Sequence, residues 1–248
     1  MTALLRAEAR KILTTRSTIP VAGFAILYPV LSLLPAVFAP SEPAVDESTI
    51  LDVLRGGAGV LTLAVLVLGI LAVAGEHRHG TIVPTLLASP RRGRFVTAKL
   101  GSQAALGAIL ALAVSAVGLI TGTVYLASRD VSVHLLSGDV LLTVSAVALV
   151  VTLYAVMGAA VGALVKNQTA AVAGALIWVL TVENAIPLVL RNPRLKRWMP
   201  GGLGDRLLQA ADPVAGTGNA WLALAMFTGV AVLLAVAAFV RTNTADIH

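Results

Sequence analysis

Cysteine is absent from this sequence, which removes disulfides, a thiol nucleophile and thiolate metal sites from consideration and leaves the redox compartment open. Charged residues make up only 12 % and aromatic residues 4 %. Of the four histidines, His77 and His79 stand two apart, and none has the H-x-x-x-H spacing that places two imidazoles on one helix face. The few lysines are Lys11, Lys99, Lys166 and Lys196, which follow Arg, Ala, Val and Leu. A phosphate-binding loop needs Gly-Lys-Ser/Thr, so the chain is expected to hydrolyse no nucleotide by that route and to be no enzyme. No G-x-S-G or paired aspartates point to an intramembrane protease.

What fills the chain instead is aliphatic. Hydrophobic residues reach 58 % and the mean hydropathy is +0.91, the composition of an integral membrane protein. The net charge of +6 sits beside apolar segments without interleaved aromatics, which favours anionic headgroups and orientation over nucleic acid. Six windows approach the roughly 20 residues a bilayer core requires, at about 17–39, 54–75, 99–127, 140–165, 169–190 and 218–240. Residues 1–16 alternate Leu4, Leu5, Ile12 and Leu13 with Arg6, Glu8, Arg10, Lys11 and Arg16, the pattern of a helix lying in the interface. The expectation is an all-α membrane protein: an N-terminal amphipathic interfacial helix, 1–16, and a domain of six transmembrane helices, 17–248.

Charge orients it. With both termini inside, the inner segments hold Arg6, Arg10, Lys11, Arg16, Arg78, Arg91, Arg92, Arg94, Lys99, Lys166 and Arg241, and the first outer loop is acidic, with Glu42, Asp46, Glu47 and Asp52. The group Arg191, Arg194, Lys196, Arg197 and Arg206 runs against that rule, but late loops influence orientation less than early ones. Its surroundings, Trp198-Met199-Pro200-Gly201-Gly202 and then Leu203, Leu207 and Leu208, read as a broken amphipathic helix at the outer interface.

The densest basic cluster is the polar loop from Gly75 to Lys99, GEHRHGTIVPTLLASPRRGRFVTAK. Within it Thr81 to Ser89 has the makings of a short helix. Thr81 can cap it, Pro84 falls in the first turn where the missing N–H has no partner anyway, and Pro90 stops it. Ile82, Leu86 and Leu87 give that helix an apolar face outside the bilayer, which a mere connector does not need. Docking to a protein groove accounts for it.

This loop, with Glu76, Gly80-Thr81, Leu86-Leu87, Pro90, Arg92 or Arg94 and Lys99 at the foot of the next span, resembles the first cytoplasmic loop of ABC-2 type transporter permeases. The resemblance runs the length of the chain in its spans and loops, and this loop is its specific part. It implies a coupling helix seated on a separate ATP-binding subunit, present in two copies. It further implies a second permease copy or relative as partner, ATP and Mg held by the partner rather than by this chain, and a bacterial plasma membrane exporter of drugs, antibiotics, peptides or lipids. So few aromatic and charged residues favour an apolar or amphiphilic cargo.

Two polar groups fall inside the fifth span, Glu183 and Asn184. A bare carboxylate there costs roughly 2 to 4 kcal/mol and must be paired, protonated or wetted. A hydrogen bond to another span is the expectation, and a proton relay the alternative. Two other functions therefore stay open beside the exporter: a non-transporting membrane scaffold or assembly factor, and an ion-coupled carrier using Glu183. Gly118-x-x-x-Gly122 and Gly158-x-x-x-Gly162 are spaced for close helix packing.

Overall fold

The computed structural model describes residues 18–38, 48–78, 92–132, 134–135, 137–165, 167–210 and 219–244. Those residues are helical throughout apart from short connections, and no strand occurs among them. The N-terminal stretch 1–16, expected as an interfacial helix, and residues 79–91 lie outside the described part.

The chain runs α1 (Thr18–Phe38), α2 (Ser48–Arg78), α3 (Arg92–Ala127) and α4 (Gly138–Leu164). Next come α5 (Gln168–Ile177), a π-turn (Trp178–Val182) and α6 (Glu183–Val189), which together make one apolar helix. A 3₁₀ turn (Pro193–Trp198), α7 (Pro200–Leu208) and α8 (Ala220–Thr244) complete it. Five stretches are long and apolar enough to cross a membrane: Ser48–Glu76, Val96–Ala127, Gly138–Leu164, Gln168–Val189 and Ala220–Asn243. The first helix is apolar too, but its described apolar stretch, Ile19–Leu34, falls short of the same length.

Helix ends differ from the apolar windows. α2 starts at Ser48 and continues to Arg78, and α3 starts at Arg92, so Arg92, Arg94 and Lys99 belong to a helix and not to the loop. Charge marks where the hydrocarbon ends. A helix satisfies its own backbone hydrogen bonds and can run on into the polar region. At 31 and 36 residues, α2 and α3 extend roughly 46 and 54 Å, well beyond a core of about 30 Å.

Local caps set other boundaries. Ser137 accepts from the Val140 N–H ahead of α4, whose first turn carries Asp139 at the favourable end of the dipole. Asn167 accepts from the Ala170 N–H to start α5, and Asn219 accepts from the Trp221 N–H to start α8.

The bundle is centred on α2 and α4, which meet backbone to backbone. A Cβ on Gly69 would stand 2.7 Å from the Ala155 carbonyl, one on Gly162 2.7 Å from that of Ile70, and Gly158 lies directly on the Leu66 backbone. Close approach of this kind substitutes van der Waals contact for a hydrophobic drive that lipid does not supply. Gly118 and Gly122 of α3 pack instead on side chains of α2, those of Leu54 and Ile50. The core around this seam is aliphatic, with Leu61, Val65, Ile70, Val147, Val150 and Val151 buried. Exposed apolar side chains, such as Ile19 and Phe24 of α1, Ile109 and Ile120 of α3 and Leu233 and Val236 of α8, cover the outside.

Candidate functional site

Two buried polar centres stand at opposite ends of the bundle. The first joins the helices that flank residues 79–91. Lys99 Nζ is 2.8 Å from Glu76 Oε1 and 3.2 Å from the Ala72 carbonyl, with both side chains at most 3 % exposed. Val73 and Ala74 beside Glu76 in sequence, and Val96 and Ala98 beside Lys99, are buried as well. An ammonium and a carboxylate withdrawn from water this far are tolerable only together, so the pair fixes the register of α2 against α3. One turn along, Gln103 is 1 % exposed, and its Oε1 has no hydrogen-bond partner among the described residues. Close by, the Arg241 guanidinium donates to the Leu164 carbonyl, and Gly93 lies against the Phe239 ring, so the ends of α3, α4 and α8 share this side.

Of the residues singled out in the sequence, Glu76 and Lys99 are thus brought together although 23 positions apart. Arg92 and Arg94 occupy the first turn of α3. Gly80, Thr81, Leu86, Leu87 and Pro90, and with them the expected short helix, lie outside the described residues.

The second centre is Glu183, 2 % exposed. Its Oε1 accepts from Trp178 Nε1 at 3.0 Å and its Oε2 from the Gly201 N–H at 2.8 Å. Both bonds follow from local backbone. Residues five apart do not face each other on an α-helix, but the wider turn closed by i→i+5 bonds stacks them, and the π-turn lies between Trp178 and Glu183. Gly201 is the second residue of α7, after Pro200, where the N–H has no intrahelical acceptor. A carboxylate at that end meets both the orphan donor and the positive pole of the helix. Any side chain on Gly201 would collide with Oε2.

The expected partner of Glu183 was a group on another span; it is instead its own helix and the short α7. Asn184 does not join it. That side chain lies on the exposed face and donates to the Leu180 carbonyl of its own helix at 3.0 Å.

Around Glu183 are groups that no spacing in the sequence connects. Tyr154 of α4 is 4 % exposed and packs on Phe227 of α8 with ring centroids 5.4 Å apart. A cavity of about 200 Å³ is lined by Tyr154, Glu183, Asn184, Lys196 and Asp205. Partial withdrawal from water pushes the Asp205 carboxyl up from its ordinary value, and the Lys196 ammonium offsets part of that. A second cavity, of about 520 Å³ and almost wholly apolar, shares Tyr154 and Glu183 with the first. Trp178 at five residues before Glu183, and Pro200-Gly201-Gly202 as a helix start, were the signals available for this centre. Among the described residues no cluster of His, Asp or Glu could hold a metal ion.

Comparison with protein-family models gives no match, and comparison with curated proteins gives none either.

Proposed function

We propose that this chain is the membrane-spanning subunit of an ATP-driven ABC exporter, moving an apolar or amphiphilic substrate across a bacterial plasma membrane. It crosses the bilayer six times, α1 included, with both termini, the segment 79–91 and the helix ends that flank it cytoplasmic. A second copy or a relative completes the membrane domain, and two ATP-binding subunits, which hold ATP and Mg, attach to the loop. The observation that carries the reading is the buried Glu76–Lys99 pair. It joins the two helices that emerge on either side of residues 79–91, so a force applied to those residues displaces α2 and α3 as a unit. Because α2 is packed on α4 through backbone contacts at Gly69, Gly158 and Gly162, that displacement passes into the centre of the bundle.

Co-purification from native membranes tests this. The chain should bring down a soluble nucleotide-binding protein in stoichiometric amount, whereas a non-ATPase partner would transfer support to the scaffold alternative. The orientation is tested separately. The absence of native cysteine makes single-cysteine labelling clean. A cysteine in place of Arg194 should react with an impermeant reagent only from outside, and reaction only from the cytoplasm would overturn the six-span arrangement.

A further inference from the structure

We infer that the larger cavity beside Glu183 binds a cationic amphiphile, its apolar body between α4, α5 and α8 and its positive head against Glu183, Trp178 and Tyr154. Binding of such a molecule to the chain needs no ATPase; that it is the exported cargo rests on the function proposed above.

At about 520 Å³ the cavity lies within the range of roughly 300–1,000 Å³ usual for small-molecule sites. It opens to the outside, where Leu233 and Trp178 are 71 % and 45 % exposed, and its lining is apolar, with Met157 and Val161 from α4, Gly174 and Ala175 from α5 and Leu233 and Leu234 from α8. Such walls give no orientation to a ligand. Polar groups gather at one end only, where Glu183, Trp178 and Tyr154 line the space together.

The chemistry of that end selects the head group. Ionised, a carboxylate has about four acceptor positions, and the hydrogen bonds from Trp178 and Gly201 leave room for more. Two aromatic π-systems beside a carboxylate are the surroundings that favour a quaternary or substituted ammonium, through cation–π attraction together with charge. The smaller cavity, which shares Glu183, adds Asp205 and Lys196, so the residues lining the two cavities include two acids and one base. An anionic head would be repelled. A neutral one would leave the buried carboxylate without the compensation that a cation supplies.

The test uses the purified chain, without any ATPase, in phosphatidylcholine nanodiscs. Replacing Trp198 and Trp221 with phenylalanine leaves Trp178 as the sole tryptophan of the three, and its emission then reports on the carboxylate end of the cavity. The probes share one tail: octyltrimethylammonium, octanesulfonate, octanol and octylphosphocholine. Octyltrimethylammonium should change the emission saturably, with affinity about tenfold or more above the other three. Glu183→Gln should abolish that preference. Gly174 faces open space, with nothing within 4 Å of an added Cβ, so Gly174→Leu should fill the cavity without strain and weaken the cation by a similar factor. Should Glu183→Gln fail to fold, the head-group series and Gly174→Leu decide alone. Equal response to all four probes, no response to any, or undiminished binding in Gly174→Leu would each overturn the inference. Octylphosphocholine binding as tightly as the cation would assign the cavity to lipid and overturn it as well. A failure here, with ATPase recruitment intact, leaves the export reading standing and removes only the cargo class.

Discussion

Lys99 is a long, strongly hydrated cation held 2 % exposed, with a Glu76 carboxylate oxygen 2.8 Å away and the Ala72 carbonyl at 3.2 Å. Removing Glu76 takes away a counter-charge 2.8 Å from a buried ammonium, whereas removing both charges leaves an apolar contact between α2 and α3. Glu76→Gln should therefore cost about 3–5 kcal/mol, and the double change Glu76→Met with Lys99→Met much less. Thermal unfolding in detergent compares them, and a double variant no more stable than the single one would show that the pair is not the main contact there. The sequence marks both residues as charges at the foot of a span, but a separation of 23 positions conceals their contact. Glu183 is likewise visible as an intramembrane acid, yet its partners are not. They depend on a π-turn and on the first turn of α7, and neither has a periodic signature in a stretch this apolar.

Among the elements, α4 shows how much a small-residue spacing can reveal. Gly158 and Gly162 are legible as a packing face, but the sequence does not say which helix they meet. The structure answers with α2, and with Gly69 as the reciprocal glycine. Backbone atoms cannot rotate away as a side chain can, so Gly158→Leu should destabilise the bundle by about 3 kcal/mol, the upper end of ordinary overpacking. Gly229 of α8 has nothing within 4 Å of an added Cβ, and Gly229→Leu should be neutral or mildly stabilising. Melting curves of the two variants side by side check the contrast, and equal losses would contradict a backbone seam between α2 and α4. Helix starts were the least legible feature. Charge identifies where lipid contact ends, while α2 and α3 continue past that level because helical hydrogen bonding does not depend on the solvent outside.

For the molecule as a whole, hydropathy alone gives the class and the approximate number of apolar helices, since only helices satisfy their backbone in lipid without closing a barrel. It does not give the arrangement: α2 and α4 sit centrally, and the helix Gln168–Val189 stands at the periphery with most of its surface outward. The two polar centres define a direction across that arrangement. At one end the Glu76–Lys99 pair brackets the loop proposed to receive the ATPase, and at the other Glu183 closes a cavity sized for a small amphiphile. The central claim is that residues 81–89 seat the ATPase through Leu86 and Leu87, and one measurement reaches it directly. ATP hydrolysis by the co-purified partner is followed with the parent chain, with Leu86→Asp combined with Leu87→Asp, and with Arg129→Ala at the opposite end as control. The double variant should insert in the membrane normally yet neither bind nor stimulate the partner, while the control does both. A double variant that recruits the ATPase and stimulates its turnover as well as the parent chain would contradict the role given to this loop.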